Sequence, residues 1–471
     1  MAERVQKRQV FDTAPEEELL YSISADGSRK YIHPVVTHGR FWRIRIVLGW
    51  ILIAIYLGLP IVTMNGKPAM LLDVVKRQFH FLGSTFHPTD NLILLALGGV
   101  IGALVFFVTG TYGRIWCGYG CPQTVYLEFV FRPIETLLEG KPKARIKRNA
   151  GPWTQDKILR KSAKWALYVV FALLLSATFV AYFVGWSGLL PALTEPLTHR
   201  VPLGVTLFVT AAVLVDFGYF RDQMCTVACP YGRLQNVLVD DDTIVVAYDE
   251  PRGEPRGKAK TVDADGRRGD CIDCKRCIQT CPTGMDIRRG LQMECVGCAQ
   301  CIEACDEVME RLKRPRGLIR YASTREISDG KKAFWRPRVI LYLALLLVAL
   351  GSLTYLSVGR GDARIEIIRG GREPFRLLHT GQVANQLRIR ITNQRHEQQS
   401  FTVSLAEPAG ADLVVSVNPI VVPGDRVATA NIAVKLERNV FQRGRVNGRF
   451  VIRSDRGAQF EQEFLLLGPY R

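Results

Sequence analysis

The sequence predicts a multidomain membrane protein with an α-helical transmembrane bundle of about five helices, a cysteine-rich soluble insert and a C-terminal all-β domain. Five apolar runs have about the 20-residue length that a membrane-spanning helix requires. Eight of the 12 cysteines fall between Cys271 and Cys305. Residues 359–471 contain short runs in which apolar and polar side chains alternate, as in strands that bury one face.

The apolar runs vary in how clearly they predict a transmembrane helix. Ile46–Pro60 and Trp165–Val184 contain no charged residue, whereas the fourth run contains Pro202 and Gly204, so a buried core helix is its alternative. Roughly 40 mostly polar residues precede the first run and no small-residue cleavage site follows it, so we expect an anchor and no signal peptide. The predicted helices cover residues 43–62, 91–111, 164–186, 201–220 and 338–358.

Lys and Arg are unevenly distributed between these runs. Residues 1–43 hold seven and the loop 112–163 holds ten, whereas the loop after the first run holds three and that after the third only Arg200. Because cytoplasmic loops carry the excess of positive charge, the tail, this loop and the insert are predicted to be cytoplasmic.

All 12 cysteines lie between Cys117 and Cys305, which agrees with a reducing compartment. The net charge of +18 reflects this bias, so no nucleic-acid partner is expected.

The insert contains two cysteine runs of the same spacing. They are Cys271-x2-Cys274-x2-Cys277-x3-Cys281-Pro282 and Cys295-x2-Cys298-x2-Cys301-x3-Cys305. This spacing is typical of a bacterial ferredoxin with two 4Fe–4S clusters, in which the fourth cysteine of each run binds the other cluster. Two structural zinc sites are the alternative. The predicted ligands are Cys271, Cys274, Cys277 and Cys305 for cluster 1, and Cys295, Cys298, Cys301 and Cys281 for cluster 2.

The C-terminal residues predict an immunoglobulin-like β-sandwich. Short alternating strands separated by Pro, Gly and Asn turns are typical of this architecture. His379 and His396 are isolated histidines, so an interaction module is a better interpretation than a catalytic domain. The predicted strands are Gln386–Asn393, Ser400–Ala406, Asp412–Val417, Arg426–Val434, Arg449–Ile452 and Phe460–Leu467.

These features together predict how the chain is divided. Residues 1–42 form a cytoplasmic tail, and residues 43–220 form a four-helix transmembrane region that includes the cytoplasmic loop 112–163. A cytoplasmic ferredoxin-like domain follows at 221–337, then a fifth helix at 338–358 and a periplasmic β-sandwich at 359–471. Dinucleotide-binding, phosphate-loop and C-x-x-C-H haem motifs do not occur in the sequence.

Four cysteines outside the ferredoxin pattern form two C-x3-C-P motifs. Cys117 and Cys121 follow the second helix, and Cys225 and Cys229 follow the fourth. If the local backbone is helical, the spacing i, i+4 places both sulfurs of a pair on one face. Such pairs suit a metal, a third cluster or a redox dithiol, and buried structural thiols are the alternative. Arg221 is the expected local partner of Asp216 and Asp222 nearby.

The order of these parts resembles the cytochrome c oxidase accessory proteins of the CcoG/FixG/RdxA family. Three stretches carry the resemblance: Trp116-Cys117-Gly118-Tyr119-Gly120-Cys121-Pro122, Cys225-Thr226-Val227-Ala228-Cys229-Pro230, and Glu294-Cys295-Val296-Gly297-Cys298 onward to Cys305-Asp306. It implies a multi-pass protein of the bacterial inner membrane, with the N-terminus and both clusters cytoplasmic and the C-terminal domain periplasmic.

The resemblance also implies an oxidoreductase that reduces Cu(II) to Cu(I) during assembly of a cbb3-type cytochrome c oxidase. Thiolates prefer Cu(I), so the expected catalytic and copper-binding residues are Cys117, Cys121, Cys225 and Cys229. The expected partners are copper ions, oxidase subunits or copper chaperones, and a cytoplasmic or membrane electron donor. The alternatives are a quinol-linked electron-transfer subunit resembling the NapH/NosR type and a non-enzymatic assembly scaffold.

Overall fold

The computed structural model describes residues 31–87, 90–257, 268–331, 334–359, 361–371 and 373–470. The chain forms two compact units, Met1–Thr354 and Tyr355–Arg471. Most of the predicted N-terminal tail, including Arg29 and Lys30, lies outside the described residues.

Five helices of the described chain are long and apolar enough to span a membrane, as predicted. They are Arg40–Gly58, Asn91–Tyr112, Gln155–Ala192, Arg200–Phe220 and Pro337–Val358. A small three-stranded antiparallel sheet, formed by Met70–Asp73, Gln78–Phe81 and Ser84–Phe86, lies between the first two of these helices in the chain. The first elements are α1 (Arg40–Gly58), β1 (Thr63–Met64), β2 (Lys67–Pro68), β3 (Met70–Asp73), β4 (Gln78–Phe81), β5 (Ser84–Phe86), α2 (Asn91–Tyr112), α3 (Ile115–Tyr119), α4 (Pro122–Tyr126), α5 (Arg132–Glu139), α6 (Pro142–Ala150), α7 (Gln155–Thr194) and α8 (Arg200–Val215).

The third membrane helix, α7, is longer than the predicted span 164–186. Thr154 begins it by accepting a hydrogen bond from the Lys157 backbone N–H at 3.3 Å. The first turns are charged, so hydropathy alone does not detect them. Gly185 interrupts the helix with φ 70° and ψ 161°, a conformation that glycine adopts most readily.

Elements of the cysteine-rich part follow α8 in the same unit. Strands β6 and β7 pair antiparallel, with Val245 opposite Ala322. The Glu303 carboxylate of α12 accepts hydrogen bonds from the backbone N–H groups of Gly39 and Trp42, both at 3.1 Å. It thus caps the first turn of α1 and joins this membrane helix to the insert. The elements are α9 (Pro230–Leu238), β6 (Val245–Tyr248), α10 (Glu250–Gly253), α11 (Arg276–Thr280), α12 (Gln300–Arg311), β7 (Ile319–Ala322), α13 (Thr324–Asp329) and α14 (Pro337–Val358).

Buried ion pairs join α5, the helix that follows the first C-x3-C-P loop, to the segment that precedes the second C-x3-C-P loop. Arg221 donates to both carboxylate oxygens of Glu135 at 2.5 and 3.0 Å. Arg132 donates to both oxygens of Asp222 at 2.9 Å. The predicted local pairing of Arg221 with the neighbouring aspartates is therefore wrong, because helix packing brings distant partners into better geometry. Asp216 instead accepts from Gln123 Nε2 at 3.0 Å.

Glu135 is the centre of this ionic network. Its carboxylate also forms an ion pair with Arg145, in which 2.7 Å separates Glu135 Oε2 from Arg145 Nη2. Burial opposes ionisation of Glu135, but the hydrogen bonds from Arg221 and the charges of Arg221 and Arg145 outweigh it and hold its pKa at about 2. The carboxylate is therefore charged at neutral pH and compensates two buried guanidinium groups.

The C-terminal unit is the predicted immunoglobulin-like β-sandwich. One sheet has the strand order β12–β14–β10–β8, with β9 also paired to β10, and the other has the order β13–β11–β15–β16. Alternate residues of β10, including Leu387, Ile389 and Ile391, are buried in the core with Phe401 and Phe450. The strands are β8 (Ala363–Arg369), β9 (Arg376–Leu377), β10 (Val383–Asn393), β11 (Gln399–Glu407), β12 (Asp412–Val415), β13 (Ile420–Val422), β14 (Val427–Leu436), β15 (Arg445–Ser454) and β16 (Gln459–Leu467).

We predict that Ile389→Ala destabilises the C-terminal unit by about 2–5 kcal/mol, because it leaves a cavity in a fully buried core. Pulse proteolysis of the full-length protein in urea measures the loss. The control is Val414→Ala, whose original side chain is 45% exposed, and it should cost less than about 1 kcal/mol. Equal losses in the two variants would contradict this account of the core.

We predict that Glu135→Gln lowers the free energy of unfolding of the membrane unit by about 3–5 kcal/mol, because two buried guanidinium groups lose their counter-charge. Denaturant unfolding in detergent, followed by cluster absorbance, measures it. The matched control is Asp156→Asn, since Asp156 pairs with Arg160 where both side chains are exposed. That change should cost no more than about 1 kcal/mol.

Candidate functional site

The first of two cysteine-lined cavities lies beside α11 and α12. Its lining includes Cys271, Cys274, Cys277 and Cys305, the four residues that the spacing assigns to cluster 1. Asp273 and Lys275 adopt positive φ values of 54° and 55°, which turn the loop tightly between successive cysteines. The remaining wall is mainly apolar, with Met309, Leu318 and Ile319 among its residues.

The second cavity lies in the same unit as the first. Cys281, Cys295, Cys298 and Cys301, the set predicted for cluster 2, all line it. Cys277 lines both cavities, so the two sites are direct neighbours. The loop again uses left-handed residues between cysteines, Gly297 with φ 69° and Ala299 with φ 61°.

The chemistry of both cavities fits 4Fe–4S clusters better than the zinc alternative. Four cysteine sulfurs in an apolar pocket are the usual ligand set of such a cluster. A structural zinc ion needs four ligands gathered around one point at about 2.3 Å. Within the described residues, no group of three or more His, Cys, Asp or Glu side chains is arranged to hold a single metal ion.

The C-x3-C-P motifs differ from the predicted helical geometry. Cys117 lies in α3, but Cys121 is extended, with φ −65° and ψ 128°. Likewise, Cys225 lies in the π-helical turn Met224–Ala228, and Cys229 is extended, with φ −73° and ψ 110°. The proline after each second cysteine explains the difference, because it disfavours a helical conformation in the residue before it.

Each proline also starts a new helix. Pro122 is the first residue of α4 and Pro230 is the first residue of α9, positions where the missing N–H has no cost. The second cysteine of each pair therefore lies at a bend between two helices rather than on one helical face.

The two thiol pairs come together although about 100 residues separate them in the chain. Cys117 and Cys225 belong to one apolar cluster with Val296, Cys298 and Tyr231. Burial and the charges of neighbouring thiols raise the pKa values of Cys117, Cys121 and Cys225, and Arg114 opposes the rise at Cys117. The Cys117 thiol donates to Gln235 Oε1 at 3.1 Å. A metal bound here would have to displace thiol protons.

The first C-x3-C-P loop touches the loop of the second cavity through Gly118. A Cβ atom on this residue would lie 2.9 Å from Cys298 Cα and 2.9 Å from the carbonyl carbon and oxygen of Gly297. Such distances are shorter than side-chain contacts allow, so only glycine permits this approach. Arg45, buried in α1, donates from Nε to the Gly118 carbonyl at 2.8 Å and holds the loop in place.

Several further residues of this contact were not predicted from the sequence. Tyr321 donates a hydrogen bond to the Gly297 carbonyl at 2.9 Å and lies 3.2 Å from the Tyr119 hydroxyl. Arg114 donates from Nη1 to the Met293 carbonyl. The glycine beside Cys117 was a usable signal of close backbone approach, whereas Arg45, Arg114 and Tyr321 belong to no recognisable motif.

Comparison with protein families agrees with this architecture. A 4Fe–4S dicluster domain matches residues 220–324, and a second 4Fe–4S binding domain matches residues 93–145, which contain Cys117 and Cys121. The IG-like fold at the C-terminus of FixG matches residues 353–469. These matches support iron–sulfur clusters as the cofactors of this chain.

Full-length relatives are similar over most of the chain. Protein RdxA of Cereibacter sphaeroides is 35% identical over 387 residues, covering 79% of this chain and 80% of RdxA. Nitrogen fixation protein FixG of Rhizobium meliloti is 30% identical over 430 residues, covering 82% of this chain and 81% of FixG. A crystal structure of a FixG-related protein from Vibrio parahaemolyticus aligns with 23% of this chain and 98% of its own, at 13% identity and a TM-score of 0.21. From the sequence similarity to RdxA and FixG, the chain belongs to the FixG/RdxA family and is a multi-pass membrane iron–sulfur electron-transfer protein.

Proposed function

We propose that this protein is a cupric reductase, which converts Cu(II) to Cu(I) for copper delivery during assembly of a cbb3-type cytochrome c oxidase. The observation that carries the proposal is the contact of Gly118 with Gly297 and Cys298. It brings the C-x3-C-P thiols against the loop that encloses the second cysteine cavity. Bound clusters supply single electrons, and one electron reduces one Cu(II) to Cu(I).

A continuous series of cysteine loops leads to the thiol pairs. Cys274 is exposed at the first cavity, Cys277 lines both cavities, and Cys298 contacts the apolar cluster of Cys117 and Cys225. This arrangement favours electron passage through the cysteine cavities to the thiols, because each step is between neighbouring groups.

The thiol pairs favour the product of the reaction. Soft thiolates stabilise Cu(I), whereas Cu(II) prefers nitrogen and oxygen ligands. Binding at Cys117, Cys121, Cys225 and Cys229 therefore raises the driving force for reduction.

We place the thiols and both cysteine cavities on the cytoplasmic side of the bacterial inner membrane, because the basic loops lie next to them in the chain. The β-sandwich is then periplasmic. Oxidase subunits or copper chaperones are the partners that this arrangement suits, and the electron donor is cytoplasmic or in the membrane.

Copper reduction is tested anaerobically on purified protein with intact clusters. Dithionite-reduced protein, freed of excess reductant, should form stoichiometric Cu(I), measured with a Cu(I) chelator, while cluster absorbance reports reoxidation. The variant Cys117/Cys121/Cys225/Cys229→Ser should react at least about tenfold more slowly, a loss of about 1.4 kcal/mol or more in transition-state stabilisation.

Two other results would contradict parts of the proposal. Clusters that stay reduced beside Cu(II) would exclude the reductase and leave the scaffold or a different acceptor. Equal Cu(I) formation by the serine variant would place the copper site elsewhere.

We also predict that Gly118→Ala slows Cu(II)-dependent reoxidation at least about tenfold. The new methyl group would force the thiol loop away from Cys298, because the contacting atoms are backbone and cannot rotate aside. The matched control is Gly204→Ala in α8, where an added Cβ meets nothing within 4 Å. Iron content and the EPR spectrum show whether both clusters are retained. A Gly118→Ala protein as fast as the control would remove this contact from the electron path.

A further inference from the structure

A third cavity lies at the C-terminal end of α2, next to the loop that contains Cys295. Its lining includes Tyr112, Arg114, Asn236, Gln292, Cys295 and Tyr321. Only one of its lining residues is a cysteine, so it is not a further cluster cavity.

Two buried polar atoms of this lining have no hydrogen-bond partner among the described residues. Gln292, only 6% exposed, donates from Nε2 to the Asp286 carbonyl, but its Oε1 is unsatisfied. Arg114, 8% exposed, uses Nη1 for the Met293 carbonyl, but its Nε is unsatisfied. Because unpaired buried polar groups are costly, one acceptor and one donor remain for a ligand.

The rest of the lining suits a flat, largely apolar ring. Tyr112 and Tyr321 contribute aromatic side chains, and Ile115, Val245 and Leu291 contribute apolar ones. Tyr112 is the last residue of the membrane helix α2 and is 41% exposed. We therefore expect a ligand carried in the lipid to enter the cavity from this end of α2.

We propose that this cavity binds the ring of a lipid-soluble quinone and exchanges electrons with the cluster held by Cys295. Arg114 donates to a quinone oxygen, and Gln292 accepts from the hydroxyl of the reduced form. Within the proposed function, on which this assignment rests, the hydroquinone is the electron donor to the clusters. Its oxidation to quinone releases two electrons, one to each of two clusters, and two protons, which pass to water at the membrane surface.

The direct test is labelling. A photoreactive azidoquinone added to the protein in lipid nanodiscs should label peptides that contain Tyr112–Arg114 or Leu291–Cys295, and excess decylubiquinone should suppress the label. The variant Asn236→Phe, which fills the cavity, should lose it. Labelling confined to other peptides, or no labelling, would overturn the proposal.

A kinetic arm uses the same samples with clusters reduced by dithionite. Decylubiquinone should reoxidise the wild-type clusters, which is the reverse of the proposed donation and passes through the same site, and Cu(II) is added to a parallel sample. In Gln292→Leu and Asn236→Phe, the ratio of the quinone rate to the Cu(II) rate should fall at least about tenfold. The matched control is Gln155→Leu at the exposed start of α7, which should keep the wild-type ratio.

The two arms separate this site from the proposed function. If quinone reacts through the cavity but Cu(II) does not reoxidise the clusters, the quinone site stands and the cupric reductase falls. If Cu(II) reacts but both cavity variants keep the wild-type ratio, the quinone site is wrong and the reductase stands.

Discussion

The approach of Gly118 to the Gly297–Cys298 turn joins the first C-x3-C-P loop to the loop of the second cysteine cavity. Electron transfer between protein-bound groups depends on short separations, and here backbone contacts backbone with no side chain between. Arg45, fully buried in α1, binds the Gly118 carbonyl and so fixes the same contact from the membrane side. The hydrogen bond from Tyr321 to Gly297 supports it from the opposite strand.

Buried charges give the surrounding loops their rigidity. Ion pairs removed from water contribute little net stability, but each becomes costly to break once formed. Glu135 and Asp222 therefore act mainly as constraints, because each accepts two hydrogen bonds from an arginine of another segment. The segment that precedes Cys225 is thereby locked against the helix that follows Cys121. The two thiol pairs, which belong to separate segments of the chain, are thereby held close to the second cavity.

The unsatisfied atoms of Arg114 and Gln292 lie beside the same contact. Arg114 also lowers the pKa of Cys117, against the larger effect of burial. One guanidinium group thus faces the third cavity, the first thiol pair and the loop of Cys295. An arginine suits this position because it stays charged and offers several donors in fixed directions.

Local patterns in the sequence were enough to predict the individual parts of this protein. Hydropathy identified the five membrane helices, cysteine spacing identified the two four-residue sets that line the cavities, and period-two alternation identified most strands of the sandwich. These features depend on residues close in the chain, so spacing alone reports them. The geometry of the C-x3-C-P motifs was predicted incorrectly, although the prolines that cause the bend are visible in the sequence.

The relations between the parts were decided only by the tertiary structure. The partners of Arg221 and Asp222 lie some 90 residues away, and Gly118 meets Cys298 across about 180 residues. The third cavity joins residues from a membrane helix, α9, β6 and a cysteine loop. Such contacts arise from packing and charge compensation between distant segments, and no local spacing encodes them. The sequence by itself thus determined which chemical groups the protein carries, and the tertiary structure decided which of them lie close together, because that depends on packing between segments remote in the chain.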